Sequence, residues 1–244
     1  MIPDEKCSRA SRLAGALVAL GVVLYAALFT ATCFSKYANF RYVDFDLGVH
    51  AQSVWNILHG SLDSSILGVP FLGNHMVPIL FLLAPLCTVL DPARSLLLIQ
   101  SVVLAMGAWG LFLIGRRVLP LPWAVGWALL YLVYPPLWYT NLYEFHPVAL
   151  AGPGLIFAFY FYQQQRFWPF AVFLVLSMFC QENIALIVAN AAVFATYAFA
   201  PEAHVEAFLL RYGMVPDHWT WTTLLTSLFL HGGFLHLIGN MLFL

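Results

Sequence analysis

Charged side chains are scarce in this sequence of 244 residues. Aspartate, glutamate, lysine and arginine make up only 9% of it, whereas a soluble domain carries roughly a quarter. Hydrophobic residues make up 62%, and several apolar runs reach the length of about twenty residues that a helix needs to cross a hydrocarbon core. These proportions exclude a water-soluble domain and predict an all-α, polytopic transmembrane protein.

A stripe of basic residues and a metal-binding pattern of cysteines are both missing, and each absence argues against one class of partner or site. The formal net charge is -1 and no basic stripe occurs, so we expect no nucleic acid partner. The cysteines form no CxxC pair and no metal-ligand spacing, so we interpret them as free thiols in or near helices. They are Cys7, Cys33, Cys87 and Cys180. The residues alone identify neither a metal nor an oligomeric state.

The few charges that are present predict a topology. Lys6, Arg9 and Arg12 precede an apolar stretch over residues 13–34, which is longer than the core of a signal peptide and has no small-residue cleavage site. By the positive-inside rule, this stretch is an uncleaved signal anchor whose first residues lie in the cytoplasm. We therefore predict a multi-pass protein of a prokaryotic plasma membrane.

About seven spans are predicted in all. They cover residues 13–34, 95–115, 123–138, 147–162, 167–180, 184–200 and 221–244. Residues 36–94 then form an external loop, in which apolar residues at helical spacing predict helices lying in the interface. The last span reaches the end of the sequence without a polar tail, so we expect a truncated polypeptide.

Four motifs in the first three quarters of the chain carry polar side chains. They are FDLGVHAQSVW (45–55), GNHMVPIL (73–80), NLYEFHPVAL (141–150) and CQENIALIV (180–188). Over about residues 36–188 they resemble a family of predicted prokaryotic membrane proteins of unknown function, which is itself similar to the GT-C glycosyltransferases. We therefore interpret residues 1–188 as a GT-C-like membrane region. The predicted topology puts the polar residues of all four motifs on the outer side of the membrane.

The GT-C resemblance implies lipid-linked sugar transfer, with Asp46 as the catalytic residue. In GT-C enzymes an aspartate just after the first span activates the acceptor or holds a divalent cation, and a carboxylate suits both tasks. Asp46 and His50 share one helical face. The substrate-binding residues predicted at the same membrane face are His75, Glu144, His146, Glu182, Lys36 and Arg41. The cations of this set, with Arg94, would pair with the phosphate of a polyprenyl-phosphate sugar.

A structural interpretation of the same residues stays open. Asp46 would then cap the helix that follows it, His75 and His146 would stand before prolines at helix starts, and Glu182 would be an exposed hairpin residue. In that case the chain is a non-enzymatic membrane scaffold.

The end of the chain carries a second resemblance. LLTSLFLHGGFLHLIGNMLFL (224–244) resembles the second transmembrane helix of rhomboid intramembrane serine proteases, and EAFLLRYGMVP (206–216) resembles the linker before it. We therefore interpret residues 189–244 as a truncated rhomboid-like region. The resemblance implies oxyanion-type roles for His236 and Asn240, which share one helical face, and a further polar position at His231.

The rhomboid resemblance also implies inactivity as a protease. The nucleophilic serine and the general-base histidine of rhomboids lie on later helices, and without them acyl transfer has no mechanism. The two resemblances require opposite orientations of residues 184–200, so we expect a fusion of two fragments with its seam near residues 187–195. A rhomboid fragment is thus the alternative to the GT-C-like interpretation.

Overall fold

The computed structural model describes residues 5–214, 217, 220–233 and 235–237, and their backbone is mostly helical. It divides into two compact units, Met1–Gln181 and Glu182–Leu244. The helices of the first unit are α1 (Glu5–Ala38), α2 (Asp46–Leu58), α3 (Ile79–Leu83), α4 (Pro92–Val118), α5 (Leu121–Leu132), α6 (Pro135–Tyr143), α7 (Ala151–Gln163) and α8 (Phe167–Met178). Those of the second are α9 (Glu182–Tyr197), α10 (Glu202–Tyr212) and α11 (Trp221–Ser227).

The first unit is a bundle in which α4 packs against α1, α5 and α7, and α8 packs against α7. Small residues allow the closest approach. A Cβ atom added to Gly115 of α4 would lie 3.2 Å from the Cα atom of Ala124 on α5. The neighbouring core contains Val18 of α1 and Phe112 of α4, both fully buried. Small residues at such contacts are typical of helices that associate in lipid.

Two helices of the described residues are long and apolar enough to cross a membrane, Arg9–Ala38 and Pro92–Val118. The first leaves a stripe of large apolar side chains exposed, at intervals of three and four residues. This stripe contains Leu13, Leu17, Leu20, Leu24 and Leu28. A helix that presents such a stripe needs an apolar surrounding, which lipid would supply along this side of α1. The predicted total of seven spans stays a prediction.

The bundle has two chemically different ends. At one end, Arg116 near the end of α4 donates a hydrogen bond to the Ser11 hydroxyl of α1 at 3.2 Å. At the other end, Lys36 of α1 donates to the Leu142 carbonyl of α6. Ser11 and Lys36 are separated by about 37 Å along the helix at about 1.5 Å per residue. This distance exceeds the hydrocarbon thickness of roughly 30 Å.

The span predicted over residues 123–138 is not one helix. Helix α5 ends at Leu132 and α6 begins at Pro135. Tyr134 has an extended backbone, with φ -69° and ψ 117°, because a residue before proline is sterically disfavoured from the helical conformation. The tandem prolines then start α6, where their missing N–H groups cost little.

The segment between α1 and α4 contains helices, as predicted, and also a short hairpin that the sequence analysis did not predict. Strand β1 (Asp63–Ser64) pairs antiparallel with β2 (Val69–Pro70). Gly68 adopts φ +70° in the connecting turn, a conformation that glycine reaches without strain. The Ser64 hydroxyl donates to the side-chain carbonyl of Gln52 at 2.8 Å, which joins the hairpin to α2.

The second unit differs from the prediction of a helix over residues 221–244. Helix α11 ends at Ser227, and residues 228–233 are not helical. Two glycines disfavour helix there, at a cost of roughly 1 kcal/mol each. The Tyr197 hydroxyl of α9 also accepts the backbone N–H of His231 at 2.6 Å, which a continuous helix would need for itself.

Candidate functional site

A carboxylate and an imidazole meet at the end of the first unit that lies opposite Arg116. His146 Nε2 lies 2.9 Å from Asp46 Oδ2. An ionised carboxylate only accepts hydrogen bonds, so Nε2 carries the proton in this contact. The Asp46 side chain is 41% exposed and that of His146 is 29% exposed. The pair is therefore ordered by a direct contact and still accessible to another molecule.

Asp46 does not cap the helix that it begins. The N-cap position of α2 is Phe45, and no side chain of that position bonds the helix. Instead the capping bonds come from Glu144, whose Oε1 accepts the Asp44 N–H at 3.0 Å and whose Oε2 accepts the Leu47 N–H at 2.7 Å. A carboxylate at a helix N-terminus is favoured by the free N–H groups and the helix dipole. Because Glu144 supplies the cap, the Asp46 carboxylate is available to accept a hydrogen bond from His146.

Glu144 is itself almost inaccessible, with 1% of its surface exposed. Burial raises the pKa of its carboxyl, while the backbone N–H groups of Leu47 and Asp44 act in the opposite direction. Both oxygens are engaged at the start of α2. The structure therefore gives this carboxylate a positioning role, and the predicted contact of Glu144 with a substrate stays a prediction.

Gln100 of α4 forms hydrogen bonds with the backbone of both Glu144 and His146. Its Nε2 donates to the Glu144 carbonyl at 2.8 Å, and its Oε1 accepts the His146 N–H at 2.9 Å. The residue is fully buried, with 0% exposure. Gln100 is not among the site residues predicted from the sequence, although an amide inside an otherwise apolar span is a signal for such a residue.

His50 follows Asp46 by one helical turn and joins the same cluster. Its ring meets Phe145 edge-on, with 5.6 Å between the ring centroids. Burial lowers the pKa of His50 to about 4, the charges of His146 and His75 act in the same direction, and that of Asp46 opposes them. His50 is thus held as a neutral imidazole beside the accessible pair.

His75 lies at the border of the cluster. It is exposed, and its Nδ1 lies 3.5 Å from the side-chain nitrogen of Gln181, just after α8. This contact joins two of the motifs, GNHMVPIL and CQENIALIV. The structure therefore brings Asp46, His146, Glu144 and His75 to one end of the first unit.

An open groove of about 650 Å³ lies beside His146. Its polar wall contains Lys36, Tyr139 and Tyr143. The Lys36 ammonium lies 4.5 Å from the centroid of the Tyr42 ring, and it is only partly buried. Lys36 and Tyr139 offer donors to an anionic ligand, whereas the Tyr143 hydroxyl donates to the Asp44 carboxylate and the His146 ring to Asp46.

The other predicted cations lie outside this groove wall. Arg41 is exposed in the turn after α1. Arg94 forms an ion pair with Asp91 at 3.3 Å and lies 5.7 Å from the centroid of the Tyr37 ring. Cys33, Cys87 and Cys180 are free and buried, as predicted.

The remaining predicted residues belong to the second unit. Glu182 is the first residue of α9. His236 accepts the Gly232 N–H on its Nδ1 at 3.1 Å, and its ring centroid is 5.3 Å from that of His231. Asn240 lies outside the described residues. Over the part of the chain that the structure describes, no three His, Cys, Asp or Glu residues group so as to hold a metal ion.

Comparison with known families decides the broad class. One family model, described as "Predicted membrane protein (DUF2079)", matches residues 36–231. The chain belongs to this family. No curated protein and no solved structure matches the chain. The DUF2079 assignment, together with the apolar helices, identifies a helical membrane protein of unknown function, in agreement with the predicted family.

Proposed function

We propose that this DUF2079 protein is a membrane-embedded transferase of the GT-C type, which moves a sugar from a polyprenyl-phosphate donor to a hydroxyl acceptor. The observation that carries the proposal is the accessible contact of 2.9 Å between Asp46 and His146. Asp46 accepts the proton of the acceptor hydroxyl as that oxygen bonds the anomeric carbon, whose bond to the phosphate breaks and releases polyprenyl phosphate. His146 orients the carboxylate by donating to Oδ2 of Asp46. General base catalysis of this kind contributes roughly 10²- to 10⁴-fold to a rate.

The groove beside His146 suits the anionic part of such a donor. Lys36 supplies a charge and Tyr139 supplies a hydroxyl donor on the same wall, whereas the Tyr143 hydroxyl donates to the Asp44 carboxylate. In this proposal Arg41 and His75 bind the substrate at the border of the site, and Glu182 is assigned to substrate binding by the predicted topology. A divalent cation, if the reaction uses one, would bind the Asp46 carboxylate through oxygen.

Replacement of Asp46 by asparagine tests the proposed chemistry. Asp46→Asn keeps the shape of the side chain and removes its basicity, so transfer from an undecaprenyl-phosphate sugar should fall by about 100-fold or more. The matched control is Asp63→Asn in the exposed strand β1, which should transfer at the rate of the original chain. Unchanged transfer by Asp46→Asn would contradict the proposal.

The proposed topology has seven spans in a prokaryotic plasma membrane, with the N-terminus in the cytoplasm. It is supported by the arginine-bearing end of the bundle, about 37 Å along α1 from Lys36. In a chain with Cys7 replaced by serine, Ala10→Cys should react with an impermeant maleimide only in inverted vesicles. Ser65→Cys should react only in right-side-out cells, and labelling of both from one side would refute the topology.

The rhomboid-like interpretation of residues 189–244 remains a second proposal. It is supported by the compactness of the second unit and by the edge-to-face contact of the His231 and His236 rings. We expect no cleavage of a transmembrane substrate by the purified chain, and cleavage would overturn this expectation. A non-enzymatic scaffold is the outcome indicated if alanine at His75 or His146 lowers stability without changing the binding of an undecaprenyl-phosphate probe.

A further inference from the structure

A second groove in the first unit lies between α3, α4, α7 and α8. Its volume is about 380 Å³, which is within the range of roughly 300–1,000 Å³ that is usual for small-molecule sites. Large apolar side chains from three helices form the wall, including Val103 and Met106 of α4, Phe157 of α7 and Phe173 of α8. One of these helices, α4, is a candidate membrane span.

The polar atoms in this wall are already engaged. The Ser177 hydroxyl donates to the Phe173 carbonyl at 2.8 Å, one turn earlier in α8. The Cys180 thiol donates in the same way to the Leu176 carbonyl at 3.3 Å. A polar ligand would therefore find no free side-chain donor in this wall and would lose its hydration on entry. Only a hydrocarbon fits the chemistry of the wall.

One end of the groove adjoins the polar cluster. Ile79, which lines the groove, follows His75 by four residues, and Leu150 follows His146 by four. The backbone N–H of Ile79 also bonds the Phe179 carbonyl at 3.0 Å, which joins the start of α3 to the end of α8. Ile99, which also lines the groove, is the neighbour of Gln100, whose side chain accepts the His146 N–H at 2.9 Å. This end of the groove therefore lies near the backbone of His146, as an amphiphilic ligand requires.

We propose that this groove binds the head-proximal part of the hydrocarbon tail of the lipid-phosphate donor. The assignment rests on the proposed function, because the head of the same molecule would lie at Asp46 and His146. Along α4 the groove extends from Ile99 to Met106, a rise of about 10 Å. It therefore holds the first part of a long tail, and the rest continues into the bilayer.

Photo-crosslinking of the full chain in lipid nanodiscs tests the proposal. The probe is farnesyl phosphate with a diazirine in the isoprene unit nearest the phosphate. We expect crosslinks in the peptides that contain residues 99–106 and 173–180. Val103→Phe fills the groove and should lower the yield by about tenfold, which corresponds to about 1.4 kcal/mol of binding. Val102→Phe, on the exposed side of the same helix, is the matched control and should retain the yield.

Three results would overturn the proposal. One is an equal yield from Val103→Phe and Val102→Phe. Another is crosslinking confined to other helices in the unmodified chain, a readout that needs no variant to fold. The third is equal labelling of the groove by a diazirine-bearing phosphatidylcholine, since this would indicate bulk lipid as the occupant.

Two measurements distinguish a failure of the proposed tail site from a failure of the proposed transferase activity. Crosslinking is measured on Val103→Phe and sugar transfer on Asp46→Asn. If that variant still transfers sugar while Val103→Phe loses the crosslink, the transferase proposal fails and the tail site stands. If transfer requires Asp46 while Val103→Phe leaves the crosslinking yield unchanged, the tail site fails and the transferase proposal stands.

Discussion

Replacement of Gln100 by leucine removes the connection between Glu144 and His146. Leucine has a similar volume, so the main loss is two hydrogen bonds, to the Glu144 carbonyl at 2.8 Å and from the His146 N–H at 2.9 Å. A buried polar group without its partner costs roughly 1–3 kcal/mol. Two such groups, one of them beside the partly exposed imidazole of His146, predict a loss of about 2–4 kcal/mol.

Thermal unfolding of the purified protein in detergent measures this loss. A protein of this size changes its Tm by roughly 2–4 °C per kcal/mol, so Gln100→Leu should unfold about 5–15 °C below the original chain. Amide hydrogen exchange should also rise at Leu47, because Gln100 holds Glu144, which accepts that N–H. The second readout distinguishes a loss of positioning from a general loss of packing.

The matched control is Gln163→Leu at the end of α7. The side-chain oxygen of Gln163 is buried without a hydrogen-bond partner, so the same substitution there should leave the Tm within about 2 °C or raise it. An equal decrease for both variants would attribute the effect to the substitution itself. A decrease under 2 °C for Gln100→Leu, with unchanged exchange at Leu47, would refute the positioning role.

Three further predictions concern the cap, a histidine and the second unit. Glu144→Ala should lower the free energy of unfolding by about 1–3 kcal/mol, because two N–H groups lose their acceptor, and Glu144→Gln should lie between, since it keeps one oxygen. Stability should fall as the pH falls from 6.5 toward about 4, because the pKa of His50 is lowered in the folded state; His50→Phe should flatten this decline. Tyr197→Phe should raise hydrogen exchange at the His231 amide, since that N–H bonds the phenol oxygen.

Each of these has a control and a contrary outcome. A Glu144→Gln variant as unstable as Glu144→Ala would mean that charge rather than hydrogen bonding holds the start of α2. His204 is an exposed histidine of α10, so His204→Phe should still lose stability as the pH falls. If His204→Phe lost no stability over this pH range, the role of His50 would be contradicted. Tyr139→Phe, in the first unit, should not change exchange at His231, whereas slow exchange in Tyr197→Phe would place the N–H on another acceptor.

The class of protein and much of the helical plan follow from local sequence. Length and apolarity mark the helices over 13–34 and 95–115, since a segment solvated by lipid must satisfy its own backbone. Charge pattern also separates the ends of the bundle, because Arg9 and Arg12 precede the apolar run of α1 and Arg116 follows that of α4. The motifs indicated that Asp46 and His146 share a region.

Tertiary structure alone decided which partners those residues have. Asp46 and His146 are 100 residues apart in sequence and touch, and the cap of α2 comes from a carboxylate on another segment. The break before Pro135 and the Gln100 amide together direct residues 141–146 toward α2. Propensity and periodicity describe neighbours along one element, whereas these contacts depend on how packed helices align their ends. The sequence therefore determined which segments are apolar enough to lie in lipid, and the fold determined which side chains are in contact.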